Sequence, residues 1–165
     1  MRPIRLLAGL LALPTVAIAT TLLPHTLLQR AEQADRVALV QVLSQRVEET
    51  PGAQFPIKTY TTVAVGTNLR GTGPAELTIV QIGGTVGATS MEIPGDAKFY
   101  LGETAVVFLR CRLAVDRCHL VAMGAGKLEV AGEDVLVQDL KTGKWGRRTL
   151  TQLVGELAMP AGAAR

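Results

Sequence analysis

The chain is poor in aromatic side chains, with three Phe, two Tyr and one Trp among 165 residues. Its core must therefore be built from Val, Leu, Ile and Ala, and the ring platforms that stack sugars or unpaired bases are scarce. Histidine occurs only at His25 and His119, serine only at Ser44 and Ser90, and cysteine only at Cys111 and Cys118. That shortage bears on catalysis. A Ser-His-Asp arrangement needs one of two histidines to meet one of two serines, and Ser90 in GGTVGATSM is not on a G-x-S-x-G nucleophile elbow. Neither H-E-x-x-H nor an acidic calcium loop is present. GGTVGATS departs from G-x-G-x-x-G and precedes no helical pattern. In MGAGKL the first glycine of a phosphate loop would fall at Val121, Leu128 replaces the needed Ser or Thr, and no helix follows to hold phosphate.

Carboxylates are more plentiful. Glu129, Glu133, Asp134 and Asp139 cluster in sequence, as do Glu48 and Glu49, and paired acids can cleave glycosides. Acids solvated at turns explain the same spacing more simply. No catalytic residue, cofactor-binding residue or metal ligand is assigned, and no cofactor is expected. A hydrolase with an unrecognised site would rest on Ser90, His119 or Glu129.

A large charge of either sign is missing too. The formal net charge of +3 owes much to the first residues, MRPIRLLAGLLALPTVAIATT. Arg2 and Arg5 precede an uncharged run over 6–18, and Ala17-Ile18-Ala19 supplies the small residues of a cleavage site. This is the pattern of a secretory signal peptide over residues 1–19. Cleavage before Thr20 leaves a mature chain of 146 residues and takes Lys+Arg from 17 to 15 against 14 Asp+Glu, about +1. The alternative is an uncleaved anchor, since the run continues to Leu23. At about 18 residues it is at the lower limit for spanning a bilayer, and Pro14, Thr15, Thr20 and Thr21 weaken it. No cysteine near the cleavage site could carry a lipid. The basic footprint of a nucleic-acid binder is absent. Lys141, Lys144, Arg147 and Arg148 form one local cluster, read as a solvated turn.

Export decides the use of the cysteines. In CRLAVDRC they are seven positions apart, and in an exported chain two thiols are expected to pair. VVFLRC and CHLVAM flank a short connection, so Cys111 and Cys118 should face each other across a β-hairpin. A redox pair would more often have two intervening residues, and a zinc site needs more ligands than two sulfurs and His119. A structural disulfide is expected.

The remaining chain reads as one domain over 20–165, long enough to bury about two-thirds of its surface, with no linker, repeat or low-complexity segment. TLLQRAEQA starts with Thr26 and Gln29 at capping-box spacing and predicts a short helix. RVALVQVLSQRVEE then alternates with period two, apolar on both faces at first and wet at its end. IKTYTTVAVGTNL is a β-branched strand with Ile57, Thr59, Thr61, Val63 and Val65 on one side, and ELTIVQIGG is a third strand. Residues 83–102 are looser and glycine-rich, with a short strand expected near 89–93. TAVVFLRC reads as a central strand, and CHLVAMG, KLEVAG and EDVLVQD follow at the spacing of a barrel or sandwich. The last element is a helix with Thr149 and Gln152 at capping-box spacing and a stripe of Leu150, Leu153, Val154 and Leu157. The fold class is mainly β. Eight or so strands closing on themselves between two short helices predict a small antiparallel, OB-like barrel, since closure removes edges. An open sandwich is the alternative.

ADRVALVQV, the Y-TTVAV strand, NLRG and GDAKFYLGETAVVFLR have an order that resembles a group of uncharacterised exported bacterial β-barrel proteins. That layout in turn is similar to the OB-type barrel of the netrin and tissue-inhibitor-of-metalloproteinase domains, over roughly residues 26–137. The resemblance implies a fold, not a chemistry. Those inhibitors chelate a protease zinc through an N-terminal cysteine, and here Thr20 would stand first. No site residue transfers.

The function expected is a non-catalytic binding or interaction module of the periplasm, cell surface or extracellular space. It would recognise a protein or envelope partner through loops at one barrel end, with residues 83–102 as the candidate surface, and no nucleic acid. A membrane-tethered structural component is the second reading, if the signal is uncleaved.

Overall fold

The computed structural model describes residues 25–114, 116–138 and 142–158. The expected signal segment, Asp139 and Lys141 lie outside the described residues. Helix α1 (Leu27–Gln33) is followed by strands β1 (Arg36–Glu49), β2 (Ile57–Arg70), β3 (Glu76–Ile82), β4 (Gly84–Val86), β5 (Thr89–Met91), β6 (Thr104–Ala114) and β7 (Arg117–Leu120). A 3-10 turn at Met123–Gly126 leads to β8 (Lys127–Ala131), β9 (Asp134–Gln138), β10 (Trp145–Thr149) and α2 (Leu150–Ala158).

Five strands close into a barrel in the order β1-β2-β3-β7-β6, with β6 returning to β1. All pairings in it are antiparallel except β3 with β7, where Thr78 and Ile79 run parallel to Arg117 and Cys118. That closed barrel is compatible with an OB-like one, and an open sandwich is ruled out. Closure involves fewer strands than expected. β8, β9 and β10 leave β6 as a separate antiparallel extension, and β4 with β5 forms its own hairpin.

β6 shows why. Its first half pairs with β1 along one edge, while the opposite edge is shared by β8 and then β7. Ala105, Val107 and Leu109 face the barrel interior, where they meet Ala38, Val40 and Val42 of β1 with Val63, Leu77 and Ile79. Val106 and Phe108 point the other way, into a second core with Val37, Ala31 and Ala34 of the α1 region, Leu128, Val135, and Leu153 and Leu157 of α2. A strand buried on both faces must be apolar at every position, and the buried stretch of β6, AVVFL over 105–109, is. Fully burying each Val, Leu or Phe is worth about 1.5–3 kcal/mol, so the second core rivals the first.

Both predicted capping boxes form. Gln29 N–H donates to Thr26 Oγ1 and Thr26 N–H to Gln29 Oε1 at 3.2 and 2.9 Å. Thr149 and Gln152 repeat this at 3.2 and 3.0 Å. In α2, Leu153 and Leu157 are buried while Val154 is 40% exposed, narrowing the expected stripe. The cationic cluster is no turn in its last part: Arg147 and Arg148 lie on β10, where Arg148 Nε donates to Glu156 at 2.9 Å. The strand expected over CHLVAMG is short, ending at Leu120, because Ala122 and Met123 take positive φ and turn the chain into the 3-10 segment.

Candidate functional site

The inward row of β2 changes character along its length. Val63, level with Val42 and Leu77, belongs to the apolar interior; Thr61 is level with Gln45 and Ile79, and Thr59 with Val47 and Gln81. Thr61 is fully buried, and its hydroxyl accepts a hydrogen bond from Gln45 Nε2 at 3.1 Å. At the next rung β1, β2 and β3 are still paired, and β4 packs across this face with Gly84 against Val47 and Thr59. There Val47, Thr59 and Gln81 form the floor of an open cleft of about 480 Å³.

The glycine-rich segment builds the walls. The β4–β5 hairpin contributes Gly84, Thr85, Ser90 and Met91, and a strap over 92–100 contributes Ile93, Asp96, Lys98 and Tyr100. Thr59 Oγ1 donates to the Gly83 carbonyl at 2.7 Å, and Gln81 Nε2 to the Ala97 carbonyl at 2.8 Å. Phe99 seals the barrel interior below. Lys127, its side chain only 8% exposed, ties the strap down. Its Nζ donates to the Lys98 carbonyl at 2.5 Å, meets the Glu103 carboxylate, and stands 5.0 and 5.8 Å from the Phe99 and Tyr100 ring centroids. Buried charge is stable only when it is paired and hydrogen-bonded, and here both conditions hold. Glu92 and Lys98 pair at 3.2 Å in the open, which contributes little.

The cleft offers the hydroxyls of Thr85 and Ser90 beside a floor of Val47, Thr59 and Gln81, groups that suit hydrogen bonding more than proton transfer. The residues considered for catalysis are dispersed. Ser90 shares a 3.1 Å hydrogen bond with Thr85 at the cleft wall, whereas His119 Nδ1 contacts the Val80 carbonyl at 2.9 Å on the barrel. Glu129 is exposed on β8, Glu133 is exposed in the turn before β9, and Asp134 faces Arg147 at 3.9 Å. Glu48 pairs with Arg46 at 2.7 Å, and Glu49 is exposed at the far end of β1. His25 precedes α1. Among the described residues no three His, Cys, Asp or Glu side chains gather as a metal site would require.

Cys111 and Cys118 are joined as a disulfide across the β6–β7 hairpin, with Cα atoms 4.2 Å apart. Gln45, Thr59 and Gln81 lie outside the 83–102 segment expected to form the recognition surface. The signal was available in β2, where Thr59 and Thr61 interrupt an otherwise apolar inward row. No protein-family model and no curated protein matches the chain.

Two buried cations lie elsewhere. Arg30 sits over the Phe108 ring at 5.3 Å with one guanidinium nitrogen on the Ala125 carbonyl, and burial lowers its pKa. Arg36 donates to Asn68 at 2.7 Å and to the Pro74 carbonyl at 2.9 Å, and burial lowers its pKa likewise. Both staple loops to the barrel.

Proposed function

We propose that the protein is an exported, non-catalytic binding module whose recognition surface is the cleft at the barrel mouth. The observation that carries this reading is the cleft itself: it is open, walled by one loop segment and anchored by Lys127 to a rigid barrel. Recognition loops on rigid scaffolds are a general arrangement. The disulfide and the N-terminal pattern support export to the periplasm, cell surface or medium. The closed barrel supports the likeness to the netrin and metalloproteinase-inhibitor domains at the level of shape. A protein or other envelope component is the partner class.

Thr85→Trp and Ser90→Trp fill the cleft from exposed positions on the hairpin. Immobilised wild-type protein should retain a component of the envelope or medium that both variants lose while melting like wild type. Identical retention by all three would remove the cleft from the account.

A further inference from the structure

β1 outruns its partner on one side. It pairs with β2 from Val37 to Glu49, but with β6 only from Arg36 to Gln41, because β6 begins at Thr104. At Val42 the turn before β6 still occupies this edge: Val42 N–H donates to the Glu103 carbonyl at 3.0 Å, and Gly102 N–H to the Val42 carbonyl at 2.9 Å. Among the described residues nothing pairs with that edge over 43–49. At the far end Thr50 N–H donates to the Pro56 carbonyl across the hairpin. Alternation from there turns the N–H and C=O groups of Gln45, Val47 and Glu49 away from β2. Such an open row of donors and acceptors is a template for another strand.

We propose that this edge joins two copies of the chain, antiparallel along residues 45–49, with Val47 on the two-fold axis. Charge selects the register. An isologous pair centred on Arg46 would set guanidinium against guanidinium, and one centred on Glu48 carboxylate against carboxylate. Centring on Gln45 would drive the second strand into Gln41, which already pairs with Thr104. Centring on Val47 sets each Arg46 opposite Glu48 of the other copy, and each Gln45 amide opposite a Glu49 carboxylate. Directly opposed unlike charges stabilise a ladder and like charges weaken it.

The ends of the edge match as well. Leu43, Tyr100 and Leu101, 47%, 64% and 69% exposed, lie around its Val42 end, and Phe55, 42% exposed, lies in the turn at the other. The two-fold brings Phe55 of each copy toward that apolar group on the other. Four of the seven exposed large apolar side chains among the described residues then fall within one interface. Because Gln45 and Val47 line the cleft, the dimer sets two clefts side by side on one face of a continuous sheet. This inference goes beyond the reading of the cleft, and its test needs no ligand.

Sedimentation velocity on the full chain across a concentration series should show a monomer–dimer equilibrium. Arg46→Glu alone and Glu48→Arg alone each oppose like charges twice and should weaken dimerisation about tenfold. The double reversal R46E/E48R should restore it. Circular dichroism and melting establish that every variant is folded. Val47→Cys should cross-link on mild oxidation, since directly opposed residues of this kind stand about 5.5 Å apart, whereas Arg46→Cys should not. A chain that stays monomeric at every concentration overturns the proposal. So does a dimer indifferent to both single reversals, or one that cross-links through position 46 instead of 47.

Discussion

Gly84 takes φ 137° where β4 crosses the inner face of the β1–β2 ribbon. A Cβ there would lie 2.6 Å from Val47 Cγ1 and 2.7 Å from Thr59 Oγ1. Two costs therefore coincide, an unfavourable backbone and a collision with the cleft floor. Gly84→Ala should destabilise by about 1–3 kcal/mol and lift the hairpin, read as a lower melting temperature with faster amide exchange over residues 84–91. Gly71 answers a similar need at φ 73°, where a Cβ would approach the Asp35 carbonyl to 2.5 Å. Asp35 Oδ2 accepts the Cys111 N–H at 2.8 Å, and Arg36 holds Asn68 and Pro74. ADRV and NLRG thus meet in one structural knot.

At the scale of elements, local signals proved sufficient wherever they were self-contained. Capping boxes need only four residues, and both α1 and α2 begin where the spacing placed them. Thr149→Ala removes the side-chain acceptor of one box and should cost about 1 kcal/mol, seen as a shift in the denaturant midpoint without a change in slope. β1 starts and ends at the residues where alternation starts and ends. β10 carries no such signal for a physical reason: on an edge strand of a peripheral sheet, WGRRT is exposed at every position but the half-buried Gly146, so neither face imposes an apolar alternation. Of the β4–β5 hairpin only the second strand is legible in the sequence, since three residues are too few to show a period and β4 is held by its packing on β1 and β2.

For the whole molecule, the disulfide stands at the seam where β7 joins β3 and the barrel closes. Replacing both Cys111 and Cys118 by serine should cost about 2–3 kcal/mol by the loop-entropy estimate, comparable to losing one or two core side chains. Calorimetry of the double variant against wild type measures this. A drop far above that range would mean that barrel closure itself had failed. If the chain is exported as proposed, its intact mass from the native envelope or medium should lack residues 1–19, with neither thiol alkylated until reduction. The two helices and their capping residues, the long strands, the cysteine pairing and the mainly β class follow from the amino-acid sequence alone, because each rests on periodicity or on contacts between near neighbours. Three things were settled only in three dimensions: how many strands close, that a second core lies outside the barrel, and that Gln45, Thr59, Gln81 and residues 83–100 meet around one cleft. Those depend on register between strands far apart in the chain, and a sequence pattern carries the faces of a strand but not the identity of its neighbours.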